Sequence, residues 1–367
     1  MNIICSQFKL NETLNIVTKA VSSKSSLPVL EGIYLEAEDG KLKLVSNDLE
    51  IGIETYIDAE VLTPGKVVLN AKMLTGIIKN LPDERVSISV NDNLMTTIKA
   101  GNAKFEILGI SHKDFPALPE IDASYSISLN QGVLKNMISK TSFAVSHRED
   151  KPVLRGCLLE IKPGKIRMVA LDGYRLAMRQ EDIEGDFDPI SIIIPEKALN
   201  ELSKILKDDE EVLINITGKQ ACFICDNFKL ITRLIEGEYI KYESVIPKTF
   251  EIDIICPIME MFHCVYRASL IITNDLNKSP VKMKFFEDTI NISCETNAGK
   301  VDDIILTNTK DANLEIGFDN NYLMDALRAC DGDVIRMGLN KSISPLVITP
   351  QEGDNFLQLI LPVKIRW

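Results

Sequence analysis

Eight cysteines and three histidines are the side chains in this 367-residue sequence that could bind a metal or act as nucleophiles. The closest cysteine pair, Cys222 and Cys225, lies in QACFICDNFKLITRL, whose alternation of apolar and polar residues predicts a strand. Residues three apart on a strand face opposite ways, so this pair is poorly placed to share a metal. We therefore expect reduced cysteines in the core and no metal site.

The histidines and the known catalytic motifs give no better candidate for an enzyme. His112, His147 and His263 have no cysteine or carboxylate at the spacing of a zinc site or a triad. The sequence contains no G-x-S-x-G and no H-E-x-x-H, and its NAGK segment at 297–300 lacks the leading glycine of a phosphate-binding loop. We expect a protein without catalysis and without a cofactor.

The segment RMVALDGYRLAM, residues 167–178, combines a turn signal with side chains suited to binding. Two apolar runs flank Asp172 and Gly173, and this dipeptide predicts a hairpin turn because glycine accepts a positive φ and aspartate can bond its own backbone. Tyr174 and Arg175 follow at once, which places an aromatic ring and a planar cation at the turn. The segment is either a plain hairpin or a hairpin that also forms part of a binding site.

An internal repeat of about 124 residues supplies the elements that position this turn. LPVLEGIYLEAEDGKLKLVSNDLEIGI, from Leu27, matches KPVLRGCLLEIKPGKIRMVALDGYRLAM, from Lys151, and a weaker third copy starts at Ser279. Asp48 aligns with Asp172, but Leu-Glu-Ile follows it in place of Gly-Tyr-Arg. The repeated scaffold therefore does not itself require the Gly-Tyr-Arg sequence.

Each copy of the repeat contains two helical segments and several alternating strands. The apolar spacing of three and four residues predicts helices, and the alternation predicts antiparallel strands with one wet face. LPVL and KPVL are interpreted as strand starts. These patterns predict an α+β fold of three repeated domains, each with two helices packed on antiparallel sheet, over 1–125, 126–250 and 251–367.

The composition excludes a membrane protein and favours the cytoplasm. The chain is 45% hydrophobic and 26% charged, as is typical of a soluble globular protein. No apolar run approaches the ~18 to 20 residues of a membrane span. The opening MNIICSQFKL lacks the layout of a signal peptide, so we expect a cytoplasmic protein.

Positive charge is concentrated on the predicted helices although the net charge of the chain is −12. The six helical segments carry eleven basic and six acidic residues, a balance of +5. For any single lysine, an ordinary solvated helix face is the alternative, and the helices of the third repeat do not share the bias. If the repeats surround an axis with their helices inward, these side chains would meet phosphates without reading bases.

Taken together, the motifs resemble the bacterial beta sliding clamps, the processivity factors of replicative DNA polymerase. The resemblance covers the whole chain and is carried by LPVL and KPVL with their glycines, ALDGYRLA, LIEGEYIKYESVIP, RASLIITN and the terminal LPVKI. It implies a homodimer of two three-domain chains, arranged head to tail as a closed ring. It also implies a function without catalysis, in which a clamp loader places the ring on double-stranded DNA and the ring holds polymerases.

The resemblance assigns residues to DNA contact and to the ring interface. Loops that contact DNA in the family match Lys24, Arg148 and Lys151, and basic side chains on the helices add Lys72, Lys79 and Lys197. The interface matches Phe105 and Ile107 of the first domain with Leu270 and Ile271 of the third. A place in the core is the alternative for these apolar residues.

The resemblance also implies a groove that binds short peptides carrying apolar and glutamine side chains. Its first subsite would use Leu154, Leu171, Gly173, Tyr174, Arg175, Leu176, Ile240, Ser244, Val245, Leu359 and Leu361; its second would use Tyr322, Pro345, Pro362 and Val363. Pattern alone would place the strand leucines in the core. Pro362 cannot donate a ladder hydrogen bond, so the terminal LPVKI is a poor central strand and a natural groove lining.

Three groove positions depart from the better-known members of the family: Leu171, Ile240 and Ser244 stand where threonine, proline and arginine are common. Among the DNA-contacting positions, Lys24 stands where arginine is often found, which keeps the charge but loses the planar fork. Arg366 and Trp367 extend past the usual end and could shield or enlarge the groove. The alternative function is a divergent paralogue that acts as a peptide-binding scaffold without encircling DNA. An enzyme on the same repeated scaffold is a further alternative, disfavoured by the missing motifs.

Overall fold

We analysed a computed structural model that describes residues 1–22, 24–185, 187–272, 279–307 and 312–365. Within these ranges each predicted helical segment forms a helix, and none of these helices is long and apolar enough to cross a membrane. The helices are α1 Gln7–Val17, α2 Ala71–Lys79, α3 Gln131–Thr141, α4 Glu196–Ser203, α5 Ile258–Ile272 and α6 Asn320–Ala329.

The strands are short and regularly spaced along the chain. In chain order they are β1 Asn2–Ser6, β2 Gly32–Glu38, β3 Lys41–Asn47, β4 Ile51–Asp58, β5 Glu60–Thr63, β6 Gly65–Asn70, β7 Arg85–Val90, β8 Met95–Ala100, β9 Ala103–Leu108, β10 Tyr125–Asn130, β11 Gly156–Lys162, β12 Lys165–Leu171, β13 Arg175–Asp182, β14 Ile190–Pro195, β15 Glu211–Ile216, β16 Gln220–Ile224, β17 Phe228–Arg233, β18 Ile252–Pro257, β19 Val281–Phe286, β20 Thr289–Thr296, β21 Gly299–Leu306, β22 Leu314–Phe318, β23 Val334–Leu339, β24 Leu346–Pro350 and β25 Phe356–Ile360.

The chain forms two compact units. The first comprises Met1–Leu134 and Glu201–Leu234. It contains an eight-stranded sheet in the order β10-β15-β16-β17-β4-β3-β2-β6 and a five-stranded sheet in the order β5-β1-β7-β8-β9. The pairing of β17 with β4 joins strands of the second repeat to strands of the first, so these repeats share one sheet.

The second unit comprises Lys135–Asn200 and Ile235–Trp367. Its eight-stranded sheet has the order β14-β11-β12-β13-β25-β24-β23-β18, and a four-stranded sheet has the order β21-β20-β19-β22. Here β13 of the second repeat pairs with β25 of the third. Since the pairings of the described strands in both units are antiparallel, the predicted α+β architecture of helices on antiparallel sheet is confirmed.

The predicted strand starts LPVL and KPVL are wrong. Pro28–Glu31 and Pro152–Arg155 are 3-10 helices, and the strands begin at the following glycines. Proline fits the first position of a helical turn because its fixed φ is already helical and its missing N–H is not needed there. A Cβ on Gly32 would lie 2.4 Å from Val68 Cγ1, and one on Gly156 would lie 2.4 Å from the Ile194 carbonyl oxygen. The glycines are therefore required by close packing.

The segment QACFICDNFKLITRL is also not one strand but a hairpin of β16 and β17. The N–H of Cys225 donates to the carbonyl of Phe228 at 2.9 Å, across a turn that contains Asp226 and Asn227. Aspartate and asparagine favour such turns because their side chains can replace backbone partners. The eight cysteines are buried with free thiols, as expected from the sequence.

Candidate functional site

The turn at Asp172 is the hairpin that the sequence predicts. It joins β12 to β13, and Leu171 pairs with Leu176. Oδ1 of Asp172 accepts hydrogen bonds from the N–H groups of Tyr174 and Arg175 at 2.8 and 3.0 Å. Gly173 has a φ of 94°, a backbone conformation that favours glycine.

The first repeat builds the same turn without glycine. Oδ1 of Asp48 accepts from the N–H groups of Glu50 and Ile51, and Leu49 takes a φ of 76°. A left-handed conformation costs a residue with a Cβ roughly 1–2 kcal/mol. The aspartate therefore sets the turn in both repeats. Of the two turns, only that of the second repeat contains Gly-Tyr-Arg.

Each of the three guanidinium nitrogens of Arg175 donates a hydrogen bond. Its Nε donates to Asp172 Oδ2 at 3.1 Å, its Nη1 to Asp325 Oδ2 at 2.6 Å and its Nη2 to the Phe143 carbonyl at 2.6 Å. The guanidinium carbon lies 4.5 Å from the ring centroid of Tyr322, within the range of a cation–π contact. These contacts tie the turn to α6, so Arg175 holds the site together in addition to lying beside it.

The leucines assigned to the first subsite are brought together, but they are buried. Leu154, Leu171, Leu176 and Leu359 belong to one apolar cluster that also contains Tyr239 and Tyr242. Their burial agrees with the place in the core that pattern alone favours for Leu154, Leu176 and Leu359. In a binding site at this surface they would form an apolar floor.

Five other predicted residues expose apolar surface in the same unit. Tyr174 and Val245 are each 52% exposed, and Ile240, Leu361 and Val363 are 36–38% exposed. We use the name apolar groove for these five exposed members of the groove that the resemblance implies. The Leu361 N–H donates to the Tyr174 carbonyl at 2.8 Å, and the Tyr174 ring stacks on Tyr322 with centroids 6.5 Å apart. The apolar groove therefore combines the turn with the C-terminal segment.

The C-terminal segment leaves its sheet at Pro362, as the missing N–H of this proline predicts. β25 ends at Ile360, and the Val363 N–H donates to the Gly317 carbonyl at 2.8 Å. An open cleft of about 520 Å³ is lined by Leu361, Pro362 and Val363 on one side and by Ile343 among others. Ile343 is 84% exposed and was missed by sequence reasoning. Its signal was an isoleucine inside the polar turn sequence NKSIS.

Pro345 and Ser244 are the two remaining groove candidates. Pro345 lies half-buried directly before β24, and Oγ of Ser244 donates to the Lys241 carbonyl at 2.7 Å. Arg366 and Trp367, which were expected to shield or enlarge the groove, lie outside the described residues.

The first unit contains a counterpart of this surface with the same backbone pairing. Gly52 pairs with Ile231 where Leu176 pairs with Leu359, and the Arg233 N–H donates to the Glu50 carbonyl at 3.3 Å where Leu361 donates to Tyr174. Its cavity of about 250 Å³ is lined by Asn47, Glu50, Gln220 and Arg233 besides apolar residues. The repeat therefore duplicates the backbone frame, but the side chains at the turn differ: Leu49 and Glu50 stand in the first unit where Gly173 and Tyr174 stand in the second.

The six predicted DNA-contacting side chains are exposed. Lys24, Lys72 and Lys79 lie on the first unit, and Arg148, Lys151 and Lys197 lie on the second. Arg148 forms a two-point ion pair with Asp150, with both N···O distances at 3.2 Å. A phosphate would have to compete with this carboxylate for Arg148.

Part of the positive charge counted on the helices is already neutralised. Nζ of Lys140 donates to the Arg328 carbonyl at 3.0 Å and pairs with Asp331 at 3.1 Å, and only 19% of its side chain is exposed. Lys207 pairs at 2.6 Å with Glu210, which is not among the six acidic residues counted on the helical segments. The helical balance of +5 thus overstates the charge that is free to meet a ligand.

The four predicted interface residues differ in how far their side chains are exposed. Ile107 is only 7% exposed, which favours the core alternative for it, whereas Phe105 on the same strand is 39% exposed. Leu270 is exposed, and Ile271 packs partly against the core of the third repeat. Phe105 and Ile107 lie on β9, which forms one edge of its sheet.

Sequence reasoning missed three exposed residues on edge strands. Leu108 at the end of β9 is 68% exposed, and Ile304 and Leu306 on the edge strand β21 are 60% and 79% exposed. Large apolar side chains on unpaired strand edges are unusual because such edges promote association. The alternation of these strands was visible in the sequence. The fold alone decides which face of each strand is exposed and which strand lies at the edge of its sheet.

Comparison with known proteins identifies the family. Models of the DNA polymerase III beta subunit match the chain with their N-terminal domain at residues 1–119, their central domain at 128–241 and their C-terminal domain at 243–364. The Beta sliding clamp of Staphylococcus epidermidis is 34% identical over 97% of this chain and 96% of its own, and that of Halalkalibacterium halodurans is 33% identical over 96% and 97%.

Solved structures agree with this assignment over the whole chain. A DNA polymerase sliding clamp from Bacillus subtilis has a TM-score of 0.96 at 32% identity, and a putative DNA polymerase III beta subunit from Eubacterium rectale has a TM-score of 0.96 at 33% identity. Both alignments cover 100% of each chain. The chain therefore belongs to the family of DNA polymerase III beta subunits, the beta sliding clamps.

Proposed function

We propose that this chain is a sliding clamp without catalytic activity. Two copies close head to tail into a ring around double-stranded DNA, which a clamp loader puts in place. The ring tethers the replicative DNA polymerase and other proteins that carry the same peptide motif. The apolar groove carries this proposal, because it exposes aromatic and aliphatic side chains over a packed floor, as capture of a short peptide requires.

We place the domains at 1–125, 126–250 and 251–367 and the protein in the cytoplasm. DNA contact uses the six exposed basic residues Lys24, Lys72, Lys79, Arg148, Lys151 and Lys197. Weak phosphate contacts of this kind are independent of sequence and let a ring slide, whereas a few tight contacts would hold it in place.

Ring closure brings the edge strand β9 of one copy against the edge strand β21 of its partner. The exposed residues Phe105 and Leu108 on β9, Ile304 and Leu306 on β21, and Leu270 on α5 supply the apolar part of this interface. Pairing would also satisfy backbone groups that each edge leaves open.

Retention on DNA tests the ring. The protein is loaded onto nicked circular DNA, and its retention is compared before and after the circle is cut to linear form. A topological ring stays on the circle and escapes from the ends. Equal retention on both would favour a scaffold that binds peptides without encircling DNA. A native mass of twice 41.0 kDa in solution is required in addition.

Peptide affinity tests the apolar groove. Val245→Ser and Val363→Ser remove exposed methyl groups without opening the buried floor. The affinity for a fluorescein-labelled peptide containing one glutamine followed by leucine and phenylalanine should fall by about tenfold in the double variant, from loss of buried apolar area. Leu62→Ser, an exposed leucine of the first unit, is the matched control. Unchanged affinity in the double variant would rule out this placement of the groove.

A further inference from the structure

A row of polar side chains crosses three neighbouring strands, β11, β12 and β13, of the eight-stranded sheet in the second unit. Glu160 on β11 is the cross-strand partner of Arg167 on β12, which is in turn the partner of Gln180 on β13. Nε of Arg167 donates to Oε1 of Gln180 at 3.0 Å, and its Nη1 lies 3.9 Å from Oε2 of Glu160. The row fixes the Arg167 guanidinium in one orientation on the sheet.

Tyr242 connects this row to the segment that borders the apolar groove. Its hydroxyl donates to Oε2 of Glu160 at 2.6 Å and accepts from Nη1 of Arg167 at 2.8 Å. The ring is 4% exposed and belongs to the apolar cluster under the groove. Burial, followed by the bond to Glu160, raises the pKa of Tyr242, so the phenol stays protonated and remains a donor.

The same segment, Tyr239–Val245, carries two residues of the groove on its exposed side. Ile240 precedes Tyr242 by two residues, and its carbonyl accepts from the Tyr242 N–H at 2.7 Å. Val245 ends the 3-10 helix Tyr242–Val245 that begins at the tyrosine. The backbone thus connects Tyr242 closely to both exposed side chains.

The first repeat has the polar pair but not the tyrosine. An offset of 124 places Glu36 and Lys43 at the positions of Glu160 and Arg167, and these two residues are again cross-strand partners. Position 118, the counterpart of Tyr242, is leucine. In the first repeat the hydroxyl on Glu36 comes from Tyr34 of the same strand, so it links no later segment to the sheet, whereas the hydroxyl of Tyr242 links the segment Tyr239–Val245 to β11 and β12.

We propose that Glu160, Arg167 and Tyr242 form a hydrogen-bonded relay that positions the segment Tyr239–Val245 and thereby sets the affinity of the apolar groove for partner peptides. The relay deepens the proposed function and rests on it. Its members are positioning residues, because they act through Ile240 and Val245 and not through contact with a peptide.

Tyr242→Phe is the direct test, since it removes the hydroxyl and keeps the ring in the cluster. The dissociation constant for the labelled glutamine-leucine-phenylalanine peptide should rise about three- to tenfold, the value of one hydrogen bond. Hydrogen exchange at the amides of Tyr242 and Ser244 should quicken, because their segment loses one of its side-chain anchors and keeps the exposed ion pair of Arg167 with Glu243 at 3.1 Å. Glu160→Ala should act in the same direction, and Glu160→Gln, which keeps an acceptor, should recover much of the affinity.

Tyr34→Phe is the matched control, because Tyr34 also donates its hydroxyl to a glutamate, Glu36, at 3.1 Å but lies in the first unit. Peptide affinity within twofold of wild type together with unchanged exchange in Tyr242→Phe would overturn the relay. An equal loss of affinity in Tyr34→Phe would overturn it too, as a general effect on stability. If the wild-type protein bound no peptide, the proposed function would fail, whereas the exchange measurement would still report whether the hydroxyl anchors the segment.

Discussion

Nη1 of Arg175 donates to Oδ2 of Asp325 at 2.6 Å, although the two residues are 150 positions apart in the chain. The same guanidinium bonds to Asp172, so one cation joins the Asp172 turn to α6. Tyr322 of α6 stacks on Tyr174 of the turn and lies beneath the guanidinium of Arg175. The turn that carries the apolar groove is thus fixed to the third repeat by an ion pair and an aromatic stack.

Arg175→Ala should lower the free energy of unfolding by about 2–3 kcal/mol, because it leaves two partly buried carboxylates without their partner. Urea denaturation measures this loss. Arg148→Ala is the control, since its ion pair with Asp150 is exposed and should be worth less than about 1 kcal/mol. Equal losses in the two variants would contradict a structural role for Arg175.

Gly173→Ala should cost about 1 kcal/mol of stability, because a residue with a Cβ is strained at a φ of 94° even though the added atom would meet open space. Gly218→Ala is the control: it also has open space around it, and its backbone does not take a positive φ. A thermal unfolding series would show the difference. A cost at Gly218 as large as that at Gly173 would exclude backbone strain as the cause.

Leu108→Asp should weaken the dimer at least about tenfold while the circular dichroism spectrum of the fold is retained, because the side chain is exposed on an edge strand. Ile107→Ala should instead destabilise the domain itself by about 2–4 kcal/mol, as loss of a buried isoleucine does. Sedimentation equilibrium and denaturation separate the two effects. Leu62→Asp, on the edge strand β5, serves as the control, and a dimer that tolerated Leu108→Asp but not Leu62→Asp would refute the proposed interface.

Glu54 should make the first unit sensitive to acid. Its carboxylate is buried, a condition that by itself raises the pKa, but Lys229 at 2.6 Å and Lys43 at 2.7 Å outweigh it and hold the pKa below its usual range. The stabilisation is therefore complete at neutral pH and is lost as the pH falls below about 4 and through the folded pKa. The difference in unfolding free energy between wild type and Glu54→Gln should shrink over that range. A difference that stayed constant from pH 7 to pH 3 would contradict this assignment.

The thiols should react slowly in the native protein. Burial raises the pKa of Cys157 and Cys256 to about 12, and that of Cys264 to about 11, so little reactive thiolate exists at pH 8. Alkylation followed by mass spectrometry should label few sites in buffer and all eight in urea. Cys264 should be among the first to react. Rapid labelling of Cys157 in the native state would contradict its burial.

Several features of the fold and the site could be read from local sequence. The repeat offset, the six helices and the Asp172 turn depend on spacing and on the conformational preferences of residues close together in the chain. The end of β25 before Pro362 is of the same kind, because a missing N–H acts locally. The motifs that carry the resemblance, among them ALDGYRLA and LPVKI, were sufficient to indicate the family.

The features that local sequence did not predict depend on interactions between distant residues or on turns weaker than Asp-Gly. Asp226 and Asn227 divide one alternating run into a hairpin, and alternation continues on both sides of such a turn. Burial separates Ile107 from Leu108, although both are apolar and adjacent, because only the packing of the sheet decides which side chain faces the core.

The sequence by itself determined the repeat, its elements and the turn, since each rests on interactions within a few residues. Only the tertiary structure decided that β17 pairs with β4 and β13 with β25, because strand pairing between repeats depends on edges that local pattern does not specify. It alone brought Asp325 to Arg175 and Tyr242 to Glu160 and Arg167. These contacts join residues about 75 to 150 positions apart, and a side chain finds such partners only after the chain has folded.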